Sequence, residues 1–122
     1  MKSKIQRYQA SKEYFFIEGC YINELSNHKQ DTEASIARAR VESGVTTKWH
    51  KLMATTERYV ILEGQGDVEV GDESPQSVYP GDVVIIPPNT PQRIKNTGIS
   101  ELVFLAICTP RFDQKNYMEI LE

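Results

Sequence analysis

His50 is one of two histidines in this 122-residue chain, and its neighbours are spaced as a reactive cluster requires. Side chains two positions apart on an extended strand share a face, so His50 and Leu52 point the same way. A tight turn over Met53 to Thr56 then returns Glu57 toward them. An imidazole and a carboxylate brought together can hold a divalent metal, or can pass a proton to and from a bound molecule. From Glu57 the alternation carries Tyr59 and Ile61 to the same face and sends Arg58, Val60 and Leu62 to the other. Tyr59 is thereby the candidate for a second catalytic or hydrogen-bonding group beside His50.

Other residues could line the same space. Along Ser35 to Val41, Arg38 and Arg40 share one face and Ala37, Ala39 and Val41 the other. An inward arginine would hold a carboxylate or phosphate ligand through its planar fork; the alternative is that both arginines face solvent and the small residues pack inside. Gln92 and Ile94 share a face, with Arg93 and Lys95 outward, and the Gln92 amide can both donate and accept, so it suits a ligand or a metal. Trp49 lies opposite His50 and reads as packing. His28 falls in the polar loop Ser26 to Thr32, where it is solvated unless the loop covers the site. Cys20 and Cys108 have no nearby histidine and read as structural thiols. Gly64-Gln65-Gly66 joins two strand-like segments rather than a strand and a helix, so no nucleotide cofactor is expected.

The elements that must position these groups are short and bounded by turns. Period-two alternation predicts nine strands, Tyr14 to Ile17, Tyr21 to Leu25, Ser35 to Val41, Lys48 to Met53, Arg58 to Leu62, Asp67 to Val70, Val83 to Ile86, Gln92 to Lys95 and Leu102 to Cys108. Pro80-Gly81 suits a type II turn. The pattern is all-β and fits a double-sheet jelly roll whose inner faces form a cup. Phe112 to Leu121 reads as a short C-terminal helix packing Phe112 and Tyr117 on the barrel. The apolar piece Tyr14-Phe15-Phe16-Ile17 could extend a neighbour's sheet, which points to a homodimer. At 39% hydrophobic and 25% charged residues, with a net charge of −3, residues 1–122 read as a single globular domain whose partner is a small molecule rather than nucleic acid. No apolar run reaches the roughly 20 residues that span a bilayer, and no leader-like segment opens the chain, so a cytoplasmic protein without membrane partners is expected.

Two stretches, 44–64 and 81–96, resemble the paired motifs of the cupin family. The first runs Gly44, five residues, His50, one residue, Leu52, four residues, Glu57, six residues, Gly64; the second runs Gly81, five residues, Pro87, one residue, Asn89, two residues, Gln92, three residues, Asn96. Leu52 and Gln92 stand where the family usually has histidines, and Asn89 where it usually has glycine. The resemblance implies a cupin barrel, or double-stranded β-helix, with His50, Glu57 and Gln92 as the metal-ligand positions. That set is harder and weaker than several imidazoles, and would hold an exchangeable iron, manganese, zinc or nickel ion. It also implies three possible uses: a metal-dependent isomerase, lyase or dioxygenase acting on a sugar derivative or organic acid; a metal-free binding or accessory dimer; or acid–base catalysis by His50 oriented by Glu57.

Overall fold

The computed structural model describes residues 1–121. Among them are eleven strands: β1 (Tyr14–Phe16), β2 (Cys20–Ser26), β3 (Ser35–Val41), β4 (His50–Leu52), β5 (Thr56–Glu63), β6 (Gly66–Val70), β7 (Gln76–Val78), β8 (Val83–Ile86), β9 (Gln92–Asn96), β10 (Leu102–Thr109) and β11 (Tyr117–Glu119). They form a six-stranded sheet in the order β1-β2-β3-β10-β5-β8 and a five-stranded sheet in the order β11-β4-β9-β6-β7. The pairs are antiparallel, and the two sheets face each other as a jelly roll.

Register explains why one end of the barrel is packed and the other hollow. Val41 pairs with Leu102, and Ala39 pairs with Phe104, which pairs in turn with Ile61. These side chains are buried, and with Val68 and Ile94 of the facing sheet they fill the closed end. Two residues along each strand, Ala37, Ala106 and Tyr59 lie in one row; two further along, Ser35, Cys108, Glu57 and Ile86 lie in the next. The inner face therefore grades from large apolar side chains, through small ones, to polar ones. Alanine where a strand could carry leucine leaves space between the sheets, and that space is the cup.

The turn at Pro80-Gly81 forms as expected, closed by a 3.0 Å hydrogen bond from the Asp82 amide to the Tyr79 carbonyl. Asn89 adopts a left-handed φ of +59°, which asparagine tolerates better than most residues. Two elements differ from expectation. β7 is an additional strand, held by three pairs to β6. The predicted C-terminal helix is instead a short 3-10 turn at Gln114–Asn116 followed by β11. β11 pairs with β4, and the flanking bonds Ile120 N to Trp49 O at 2.9 Å and Met53 N to Asn116 O at 2.8 Å extend the contact. The segment satisfies its backbone on a distant strand edge rather than internally, a choice local sequence does not reveal.

Gly64 and Gly44 share a φ of +79°, but a Cβ at Gly64 would collide with the Glu101 carbonyl while one at Gly44 would meet nothing within 4 Å. Gly44→Ala is expected to cost about 1 kcal/mol from backbone strain alone, and Gly64→Ala at least ~2 kcal/mol. Urea denaturation of the two variants beside the parent chain checks the difference.

Candidate active site

β4 belongs to the five-stranded sheet and β5 to the six-stranded one, so the turn between them carries the chain across the barrel. Ala54 at φ +54° and a 2.8 Å bond from the Thr55 hydroxyl to the Met53 carbonyl shape this crossing. His50 thus hangs from one wall and Glu57 from the other, the first 3% and the second 9% exposed. Both line a cavity of about 620 Å³, counting its open mouth, whose walls include Glu18, Leu52, Phe104 and Tyr117.

Each nitrogen of the His50 ring has a partner. Nδ1 lies 2.8 Å from the Lys48 carbonyl oxygen, which can only accept, so Nδ1 carries a proton. Nε2 lies 3.1 Å from Glu18 Oε2, which makes an ion pair when the imidazole is protonated. Glu18 sits in the turn between β1 and β2, and its carbonyl accepts a 2.8 Å bond from the Lys48 amide, which locks that hairpin against the His50 segment. The other Glu18 oxygen accepts from the Cys20 thiol at 3.0 Å. Tyr117 of β11 stacks on the imidazole with ring centres 5.2 Å apart and 18° between planes, and Phe16 of β1 meets Tyr117 edge-on at 5.2 Å.

Glu57 has far fewer partners. Oε2 receives a 3.9 Å contact from the Cys108 thiol, and Oε1 has no hydrogen-bond partner. Burial pushes the carboxyl up to about 7, and the Glu18 charge adds to the rise; His50, the Gln92 amide and Cys108 oppose it. The Tyr117 hydroxyl is likewise buried without a partner, and burial raises its pKa. Burial also raises both thiols, Cys20 and Cys108, which keeps them protonated and inert as nucleophiles.

The structure brings His50 and Glu57 together and distributes the other candidates differently. Tyr59 does point to the Glu57 side and its ring walls the cavity, but its hydroxyl donates to Gln92 Oε1, so its proton is committed there. Gln92 is buried beside His50 in register and does not line the cavity. Arg38 and Arg40 do not reach the cup, which corrects their assignment as ligand-binding residues. Ala37 and Ala39 take the inward positions, leaving Arg40 bonded to Glu13 at 2.6 and 3.1 Å, paired with Glu101 and seated 4.2 Å over the Tyr21 ring. Arg38 lies 3.6 Å from the same Glu13. His28 stays in its loop, its Nδ1 accepting from the Gln30 amide at 3.0 Å. Trp49 packs under the Arg93 guanidinium at 4.3 Å. Glu18 and Tyr117 are the residues that sequence reasoning missed. For Glu18 a signal existed, because Ile22, Cys20 and Glu18 share one parity, and the alternation runs back into the turn.

The donor set does not fit a divalent metal. Leu52 donates nothing, and the Gln92 oxygen accepts from Tyr59. Among the described residues, no group of three or more His, Cys, Asp or Glu side chains is arranged to hold an ion. None of their helices is long and apolar enough to cross a membrane.

The sequence profile described as "Cupin domain" matches residues 37–108, which takes in both motifs. The chain belongs to the cupin family. A protein of Methanocaldococcus jannaschii, the uncharacterized MJ1618, is 36% identical over 124 residues, covering 100% of this chain and 98% of its own. Among solved structures, KdgF from Halomonas matches with a TM-score of 0.80 at 13% identity, over 93% of this cupin and 99% of its own chain. The Streptomyces nucleoside dehydratase Pac13 matches at 0.77 and 18%, over 98% and 92%. A predicted oxalate decarboxylase from Thermotoga maritima matches at 0.68 and 27%, over 75% and 80%. All three share the barrel of this cupin.

The raised Glu57 carboxyl gives stability a pH dependence of definite sign. With its folded pKa near 7 against an ordinary 4.5, the folded protein holds the proton more tightly than the unfolded chain. This contribution is full below pH 4.5 and is lost as pH rises through 7, by on the order of 3 kcal/mol. Glu57→Gln is expected to remove that slope, melting with the parent at pH 5 and above it at pH 8. Thermal melts across this range check it.

Proposed function

We propose that this cupin is a metal-independent acid–base enzyme, of isomerase or lyase type, acting on a small molecule held in the barrel. The observation that carries the reading is buried Glu57, one of whose oxygens has no hydrogen-bond partner, lining the same cavity as the His50–Glu18 pair. A carboxyl near neutrality is suited to take or return a proton at physiological pH.

In the step this supports, Glu57 takes a proton from a carbon beside a substrate carbonyl. The C–H electron pair becomes a C=C bond, and the carbonyl oxygen receives a proton from Nε2 of a protonated His50 held by Glu18. For an isomer, Glu57 returns its proton to the former carbonyl carbon while the hydroxyl on the first carbon gives its proton to His50 and becomes the new carbonyl; for elimination, the enol returns its proton to His50 as the carbonyl re-forms and a β-hydroxyl leaves as water with the proton from Glu57. Tyr59 and Gln92 serve as positioning residues, with the tyrosine proton fixing the amide behind the wall. The similarity of the barrel to Pac13, described as a nucleoside dehydratase, supports elimination chemistry on such a scaffold. Leu52 supplies no ligand atom and a divalent ion would have to displace Tyr59 from Gln92, which favours the metal-free reading.

The test is hydrogen exchange in D2O with chelator-treated protein and a panel of small hydroxylated carbonyl compounds, read by proton NMR. We expect enzyme-dependent loss of a C–H signal with at least one compound. His50→Ala and Glu57→Gln should each slow it by about 10²- to 10⁴-fold. Exchange indifferent to both substitutions, exchange only on adding metal, or no exchange with any compound overturns the proposal.

A further inference from the structure

The charge around the cup is one-sided. Glu18, Glu24 and Glu57 line it, and no lysine or arginine does. Arg111 is held on Asn27, with Nε 2.7 Å from Oδ1 and Nη2 3.3 Å from the carbonyl, and is not among the lining side chains. Any positive charge on His50 is matched by Glu18 at 3.1 Å. Glu24 lies at the exposed end, where its Oε1 accepts from the Tyr14 hydroxyl at 3.3 Å. The rings of Tyr14 and Phe16 border the cavity there, and Tyr14 meets Phe16 edge-on at 6.4 Å.

An acidic cluster alone marks no ligand, but the bare, 91% buried Glu57 carboxylate in the same cavity does, because a partner must come from whatever enters. Together these features select the charge of that molecule. An anion would meet the Glu24 carboxylate at the mouth and two further acids behind it, with no lysine or arginine among the lining side chains to neutralise it. An ammonium offers donors only, which is what carboxylates require, and it is attracted to aromatic faces.

We propose that the cup takes an organic cation: a compact molecule whose reacting end faces Glu57 and His50, and whose protonated amine lies toward the mouth between Glu24 and the rings of Tyr14 and Phe16. This deepens the enzymatic reading above, since it names the substrate class of the same site. Acidic walls raise the local concentration of cations and repel anions before contact. The rim carboxylate then orients the amine, leaving the buried carboxylate free for the reacting carbon.

Three probes of equal size and different charge test this: benzylamine, benzyl alcohol and benzoate, titrated at neutral pH with chelator present and followed by NMR of the full chain. Benzylamine is expected to bind tightest, shifting signals of His50 and Tyr14, and benzoate not to bind. Glu24→Gln should weaken benzylamine about two- to fivefold, the worth of one exposed charge, and leave benzyl alcohol unchanged. Benzoate or benzyl alcohol binding as tightly as benzylamine overturns the proposal, as does benzylamine that leaves the cup signals unmoved. If benzoate shifts the His50 signals, the charge preference fails while the barrel remains a ligand site. The D2O exchange experiment reads catalysis independently of either outcome.

Discussion

A carboxylate held out of water with one oxygen bare is the costliest feature of this barrel, and the rest of the interior is arranged around it. Leaving a charged group buried and unpaired costs several kcal/mol unless a cation or enough donors offset it. Glu57 has no arginine or lysine beside it, only His50 on the other wall, the Gln92 amide and a distant thiol. The cheaper solution is to keep the proton, and the carboxyl moves toward neutrality. Glu18, across the cavity, has the opposite surroundings, with a donor at each oxygen. Two acids in one cup with such different neighbours are equipped for different roles, one to exchange a proton and one to hold an imidazole in place.

Holding that arrangement requires both sheets. His50 and Glu57 hang from opposite walls, so their separation depends on how the sheets sit against each other. Tyr59 of the six-stranded sheet bonded to Gln92 of the five-stranded one ties the walls together just behind the site. The outer strands β1 and β11 tie them again at the edge, through Phe16 against Tyr117 and Tyr117 against His50. The Tyr59–Gln92 bond and the Phe16–Tyr117 contact each join elements that no backbone ladder connects. The hollow between them persists because Ala37, Ala39 and Ala106 are too small to fill it.

Much of this was legible in the sequence where the determinants are local. Alternation from His50 through Ile61 gave the correct inward set, since period two and one crossing turn decide it. Nine of the eleven strands need no more than that. Alternation left the direction of Ser35 to Val41 open, and only pairing settles it: Ala37 faces Ala106 in the β10 row, so the arginines must turn out toward Glu13 and Glu101. Tyr117 reaches His50 through an edge strand added to β4, which leaves no period or spacing to read; Glu18 reaches it through a hairpin packed on a distant segment, and the parity it shares with Cys20 and Ile22 is its one local sign. The same long-range pairing defeated the C-terminal helix.

The departures at positions 52 and 92 act together. A second histidine at 52 would place another nitrogen beside His50; Leu52 instead gives an apolar wall, so the imidazole finds its polar partner in Glu18. A glutamine at 92 has one oxygen to offer, and Tyr59 takes it. A site that has lost one donor and committed another keeps the convergence built by the strand spacing without the ligand count an ion needs. What the same geometry retains is an imidazole, a paired acid and a bare acid around one cavity, and proton transfer needs nothing more.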